Sequence, residues 1–381
     1  MKTLIKTVSL IVFVMLCSCR VNHRADTHPD PTMNQIDSSG MIRPEYAKGF
    51  DVTYSDDIIL LDIRDPENQN REEFKFALVN KEHNGVIPQG YTRVEIPVET
   101  AICMTSLQLS NFLKLGIPEK VAGITSTRHL HNKTMKQQLK DGLTHKIGIE
   151  GNFDNEVIMA LNPDIILISP FKRGGYDAIR NVDTPLIPHL GYKELTPLGQ
   201  AEWIKVVGLL TGESLRANEE FKGIESRYNA LKESVDTLSS RPSVFSGEMR
   251  GGNWYAVGGR SFLAQLFRDA GADYFLKNNS ESGGVTLDYE TVYSNAAHSD
   301  YWRIVNSYEG SYGYDVLKAQ DERYTDFDAW KKKGVIYCNM KEVPFYESMP
   351  VEPEVVLADF IYVFHPEILP DHHPVYYHLL K

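Results

Sequence analysis

The chain is poor in cysteine and lacks the motifs of several common catalytic and metal sites. It has four cysteines in 381 residues, and two of these fall inside an N-terminal apolar segment. No CxxC pair or Cys–His spacing joins the other two, which excludes zinc-ribbon and thioredoxin-type chemistry. No GxSxG elbow, HExxH pair or phosphate-binding loop occurs, so hydrolases, zinc proteases and nucleotide enzymes lack their usual signatures. Acids outnumber bases 51 to 40, a net charge of −11, which argues against nucleic acid as a partner. Beyond the first twenty residues no stretch approaches the ~20 apolar residues that span a bilayer.

The N-terminus carries an address. Lys2 and Lys6 precede the apolar run Val8 to Leu16, which suits a secretory signal and is too short for a membrane span. Leu16-Cys17-Ser18-Cys19 looks like a bacterial lipobox, with Cys19 as the lipidated first residue of the mature protein. We therefore expect a signal peptide over 1–18 and a polar, proline-containing tether over 19–45. The expected location is the periplasm of a Gram-negative bacterium, with the lipid holding the protein to a membrane. Cys103 and Cys338 read as buried small hydrophobes, although the compartment permits a disulfide.

Short β-like runs fill the stretch after Asp51: Ile58 to Ile63, Phe74 to Val79 and Arg93 to Ile96. From Ser106 strands and helices alternate, which implies mostly parallel sheets covered by helices. Leu198 to Leu210 is apolar at helical spacing. After Gly212, Ser214 is placed to cap a second helix of roughly 23 residues, about 35 Å long. Strand–helix alternation resumes after Pro242. The expected fold class is α/β: two Rossmann-like α/β lobes joined by a single long α-helix, with an extra β-rich segment at the start of the N-terminal lobe. The expected boundaries are 46–193 for the N-terminal lobe, 194–238 for the linking helices and 239–381 for the C-terminal lobe.

A weak internal repeat is the most specific feature. Gly151, Asp154, Glu156 and Asp164 in the first half correspond to Gly284, Asp288, Glu290 and Asp300 in the second. The aspartates of each Asp-x-Glu sit where an N-cap carboxylate contributes ~0.5–2 kcal/mol. The glutamates fall in the first turn, where the helix dipole favours negative charge and the side chain points outward.

These segments resemble the helical-backbone periplasmic binding proteins that serve ABC importers of iron–siderophores, haem and cobalamin. The matching stretches are Val121 to Thr125, Asn152 to Glu156, Ala160 to Ile166, Pro197 to Trp203, Ala270 to Ala272, and Leu357 to Phe360 with Phe364 to Glu367. The resemblance covers about Tyr46 to the C-terminus. It implies a substrate-binding lipoprotein, not an enzyme, with no resident cofactor or metal. Its partners would be a permease dimer with its ATPase and an iron chelate, with a corrinoid as the alternative cargo. It also implies that Glu156 and Glu290 dock onto permease arginines.

Ligands of doubly wound lobes lie beyond the carboxyl ends of the strands. The loops there nominate Arg128, His129, Glu150, Asn152, Phe171 and Arg173 in the first lobe, and Arg250, Trp254, Tyr255 and Gly284 in the second. Arginines clamp carboxylates or catecholate oxygens, and Trp254 and Tyr255 offer flat contact to a large chelate. Gly284 stands where a corrinoid binder would place an aromatic, which tilts the reading towards an iron chelate. Reversing the charge of both Glu156 and Glu290 is expected to abolish transport in a reconstituted importer while leaving ligand affinity intact; a fall in affinity would refute the docking role.

Overall fold

The computed structural model describes residues 40–55, 57–68, 73–125, 127–149, 151–170, 179 and 183–381. The signal segment, Cys19 and the tether up to residue 39 lie outside them. Two five-stranded sheets form the body. In the first, Leu186–Pro188, Ile165–Ile168, Ala101–Cys103, Val121–Ile124 and His145–Lys146 lie side by side in that order, all parallel. In the second, Asp273–Tyr274, Ser243–Ser246, Tyr301–Asn306 and Val335–Asn339 are parallel, and His378–Leu379 adds an antiparallel edge. Ile165–Ile168 and Val335–Asn339 are buried at every residue, as expected of parallel strands covered on both faces.

Between the sheets run three helices, Pro197–Ala201, Ile204–Thr211 and Ser214–Asp236. The single helix expected over Leu198 to Leu210 is therefore broken at Glu202 and Trp203, whose side chains are both committed to buried contacts. The Glu202 carboxylate accepts the backbone amides of Glu45, Tyr46 and Ala47 at 2.7–2.9 Å and pairs with Lys205 at 2.7 Å. The Trp203 indole donates to Glu194 at 3.0 Å. Ser214 does not cap the long helix. Gly212 turns the chain at φ 83°, Glu213 occupies the cap position and its carbonyl accepts from the Ala217 amide, so Ser214 is the first helical residue.

The long helix buries Ala217, Phe221, Ile224, Tyr228 and Val235. Towards the first sheet, a Cβ on Gly208 would lie 2.4 Å from the Ala217 Cβ, so only glycine permits that close approach. Towards the second sheet, Tyr228 donates to Asp269 at 2.7 Å and Arg227 pairs with Glu354 at 2.7 Å.

Ahead of the first sheet stands a four-stranded sheet of Phe50–Ser55, Ile58–Ile63, Phe74–Val79 and Thr92–Glu95. Its first strand was not anticipated individually; half of its residues are polar and exposed, which weakens its apolar signal. The inner face (Ile59, Leu61, Ile63, Phe76, Leu78, Val94) merges with the main core. Two buried acids fasten its leading segment: Glu202 as above, and Glu194, which accepts the Lys48 and Gly49 amides at 2.9–3.1 Å. Burial pushes the Glu194 carboxyl up to about 6, against the opposing pull of its hydrogen bonds.

The repeat is present at the level of hydrogen bonds. Asp154 accepts the Val157 amide at 3.1 Å and Asp288 the Thr291 amide at 2.6 Å, each capping its helix. Asp164 then accepts the Glu99 and Thr100 amides, and Asp300 the Ser243 amide, so each clips the start of a neighbouring strand. Cys103 and Cys338 are free and buried, one in each sheet; burial pushes the Cys338 thiol up to about 12.

Glu202→Ala would orphan three backbone amides and take from the Lys205 ammonium its buried carboxylate partner, and should cost about 3–5 kcal/mol. Urea unfolding checks this, with Glu202→Gln expected to lose clearly less.

Candidate ligand cleft between the two lobes

The carboxyl ends of the two parallel sheets supply the loops that face each other. On the first lobe, Thr125 donates to the Met104 carbonyl at 3.0 Å and Gln108 to the Ser169 hydroxyl at 3.2 Å, which fixes the loop starts. On the second, Gly247 turns the chain at φ 103°, where a Cβ would lie 2.0 Å from the Tyr255 carbonyl. The turn leads into a small antiparallel sheet of Glu248–Arg250, Asn253–Val257 and Gly284–Leu287.

Contacts between the lobes mark both ends of this cleft. At one end the Glu347 carboxylate accepts the His131 amide at 2.8 Å, and the His129 ring packs 6.0 Å from that of Tyr346. At the other end the loop after Ile63 holds Asp65 and Glu67 against Lys193, at 2.5 and 3.2 Å, and the Ser282 hydroxyl of the second lobe donates to Glu67. The accessory sheet thereby reaches the cleft rim.

The residues expected at the ligand site fall in different environments. Arg128 is exposed and His129 half-buried on the loop that meets the second lobe. Burial, with the Arg128 charge second, lowers the His129 pKa, so its ring is neutral at pH 7. Arg250 lies within electrostatic reach of Tyr346. It donates through Nε and one terminal nitrogen to Glu248 at 3.1 and 2.6 Å, so its charge is already shared. Asn152 is exposed on a short hairpin before the Asp154-capped helix. Glu156 and Glu290 are both exposed in the first turns of their helices. Glu150, Phe171 and Arg173 lie outside the described residues.

Trp254 is a correction. It is fully buried, donates its indole N–H to the Ser246 carbonyl at 2.9 Å and packs against Phe245, Trp302, Tyr324 and Phe327. Strand alternation sends Trp254 into the core and Tyr255, 45% exposed, to the opposite face. Gly284 is exposed at the start of its strand, where a Cβ would make only an ordinary contact with the Ala256 carbonyl oxygen at 3.8 Å.

The sequence reading missed a group of tyrosines beyond the central strand of the second sheet. Tyr312 stacks on Tyr337 at 4.4 Å, Tyr308 meets Tyr312 at 5.1 Å, and Tyr346 is 41% exposed near Arg250. The spacing Tyr308 to Tyr312 directly after a buried strand was the available signal. Among the described residues no three His, Cys, Asp or Glu side chains converge as a metal cage. None of the described helices is long and apolar enough to cross a membrane.

Residues 102–341 match the family model described as periplasmic binding protein. The chain belongs to that family. Its members are the substrate-binding components of ABC transport, and this fold is their helical-backbone form, with the accessory sheet lying outside the matched residues. An uncharacterized lipoprotein of Methanocaldococcus jannaschii is 21% identical over 353 residues, covering 85% of this chain and 82% of the relative. A periplasmic heme-binding protein of Pseudomonas aeruginosa superposes with a TM-score of 0.59 at 16% identity, over 74% of this chain and 98% of the other. The molybdate-binding protein MolA of Haemophilus influenzae gives 0.57 at 15% identity, over 72% and 88%. At these identities the two solved structures establish the fold alone.

Replacing the two adjacent aromatics should separate core from cleft. Trp254→Ala should cost about 3–5 kcal/mol, whereas Tyr255→Ala should stay within about 1 kcal/mol, both by denaturant unfolding.

Proposed function

We propose that this binding protein captures an iron chelate, a ferric siderophore or haem, between its two lobes and hands it to the permease dimer of an ABC importer. The observation that carries the reading is the second-lobe side of the cleft, where Tyr346 is 41% exposed with Arg250 near it, and the half-buried Tyr308 packs on the buried Tyr312–Tyr337 pair. Aromatic faces suit a large flat or catecholate ligand, and arginine suits its carboxylates or phenolate oxygens. On the first lobe, the exposed Arg128 directly precedes His129, whose ring packs against that of Tyr346. A corrinoid is disfavoured because Trp254 is withdrawn into the core and Gly284 offers no side chain.

Docking is assigned to Glu156 and Glu290. Each helix also carries an exposed apolar residue one turn on, Met159 at 57% and Tyr293 at 38%, which gives the two lobes matching acid-plus-apolar faces. Acids so placed mainly speed and orient the encounter with a basic partner. Cys19 provides the lipid anchor.

A thermal-shift screen with ferrichrome, ferric enterobactin, hemin and cyanocobalamin tests the cargo. Binding at 100-fold excess over Kd adds ~2.7 kcal/mol of stability, which is expected for an iron chelate. A shift with cyanocobalamin alone would reassign the cargo, and no shift with any of the four would overturn the reading.

A further inference from the structure

The first-lobe loop that bears Arg128 and His129 is held largely by the second lobe. Glu347, 3% exposed, reaches across to accept the His131 amide at 2.8 Å. Asn132 caps the helix Lys133–Asp141 by accepting the Met135 amide at 3.0 Å. The second-lobe carboxylate therefore sits at the amino end of a first-lobe helix, where orphan amides and the dipole favour an acceptor. Two residues earlier the His129 ring lies beside Met340 and packs 6.0 Å from the Tyr346 ring. Glu347, Tyr346 and Met340 belong to one segment beyond the strand Val335–Asn339.

We propose that Glu347 is a positioning residue for cargo binding: by accepting the His131 amide it holds the Arg128–His129 loop against the second lobe, so that both lobes present one continuous surface to the ligand. The inference rests on the cleft assignment above and adds a residue that touches no ligand. A crevice of about 390 Å³ beside it, lined among others by Lys114, His131 and Glu352, leaves little on that side to hold the loop once the carboxylate is removed. The alternative is that Glu347 merely contributes to general stability, and the two accounts differ in where the molecule loosens.

The test uses the full chain without ligand, comparing wild type with Glu347→Ala and Glu347→Gln. Amide hydrogen exchange over 129–135 and modification of the His129 ring by diethyl pyrocarbonate, mapped by mass spectrometry, are the readouts. Glu347→Ala should speed both by about tenfold, while exchange in the strands of both sheets stays at the wild-type rate. Glu347→Gln keeps a carbonyl acceptor and should stay within about threefold of wild type. Unchanged exchange in Glu347→Ala, or acceleration spread evenly over both sheets, would overturn the proposal. Hemin binding measured in parallel separates the two readings. Failure of the wild type to bind hemin counts against haem as the cargo and leaves the exchange result to decide the positioning role, and equal hemin affinity in wild type and Glu347→Ala counts against that role.

Discussion

The helix Ser214–Asp236 is gripped at both ends, by the Ala217–Gly208 contact towards the first sheet and by Tyr228–Asp269 and Arg227–Glu354 towards the second. Its apolar stripe belongs to a core that runs from the accessory sheet through the first lobe to Phe360 and Phe364 of the second. Bending the lobes apart would have to shear that core or strain a continuous helix, and close-packed interiors resist both. The carboxyl edges of the two sheets are thus presented to each other at a nearly set spacing. Everything in the cleft, including the cross-lobe contacts at each end, depends on it.

Buried carboxylates do the remaining tying, and each accepts backbone amides. Glu194 and Glu202 fasten the chain before the accessory sheet, Asp359 accepts three amides of the C-terminal tail, and Glu347 joins the lobes. Removing Glu194, Glu202 or Asp359 leaves several donors without partners at once, which is why these positions matter more than the surface ion pairs. The accessory sheet is drawn to the second lobe by side-chain contacts instead: its loop holds Lys193 in ion pairs and accepts the Ser282 hydroxyl.

Much of this was legible beforehand where local patterns carry it. The strands Val121–Ile124 and Ile165–Ile168 and the helix ending at Phe364 follow from uninterrupted apolar runs and periodicity. Asp154 and Asp288 declared themselves as caps because the signal is contained within four residues. Ser214 failed as a cap because the handedness of Gly212, two residues before, decided where the helix begins. Trp254 failed because a one-residue step along a strand exchanges core for surface, and nothing local says which face is which.

The sequence by itself determined the α/β class, the doubled Asp-x-Glu plan and the family, since these rest on short-range spacing and order along the chain. Tertiary structure alone decided which loops meet. Glu347 lies 216 residues from His131, and Ser282 lies 215 from Glu67; no periodicity links residues so far apart. Their meeting follows from how two sheets are set against one helix, and that is why the cargo loop is a property of both lobes together.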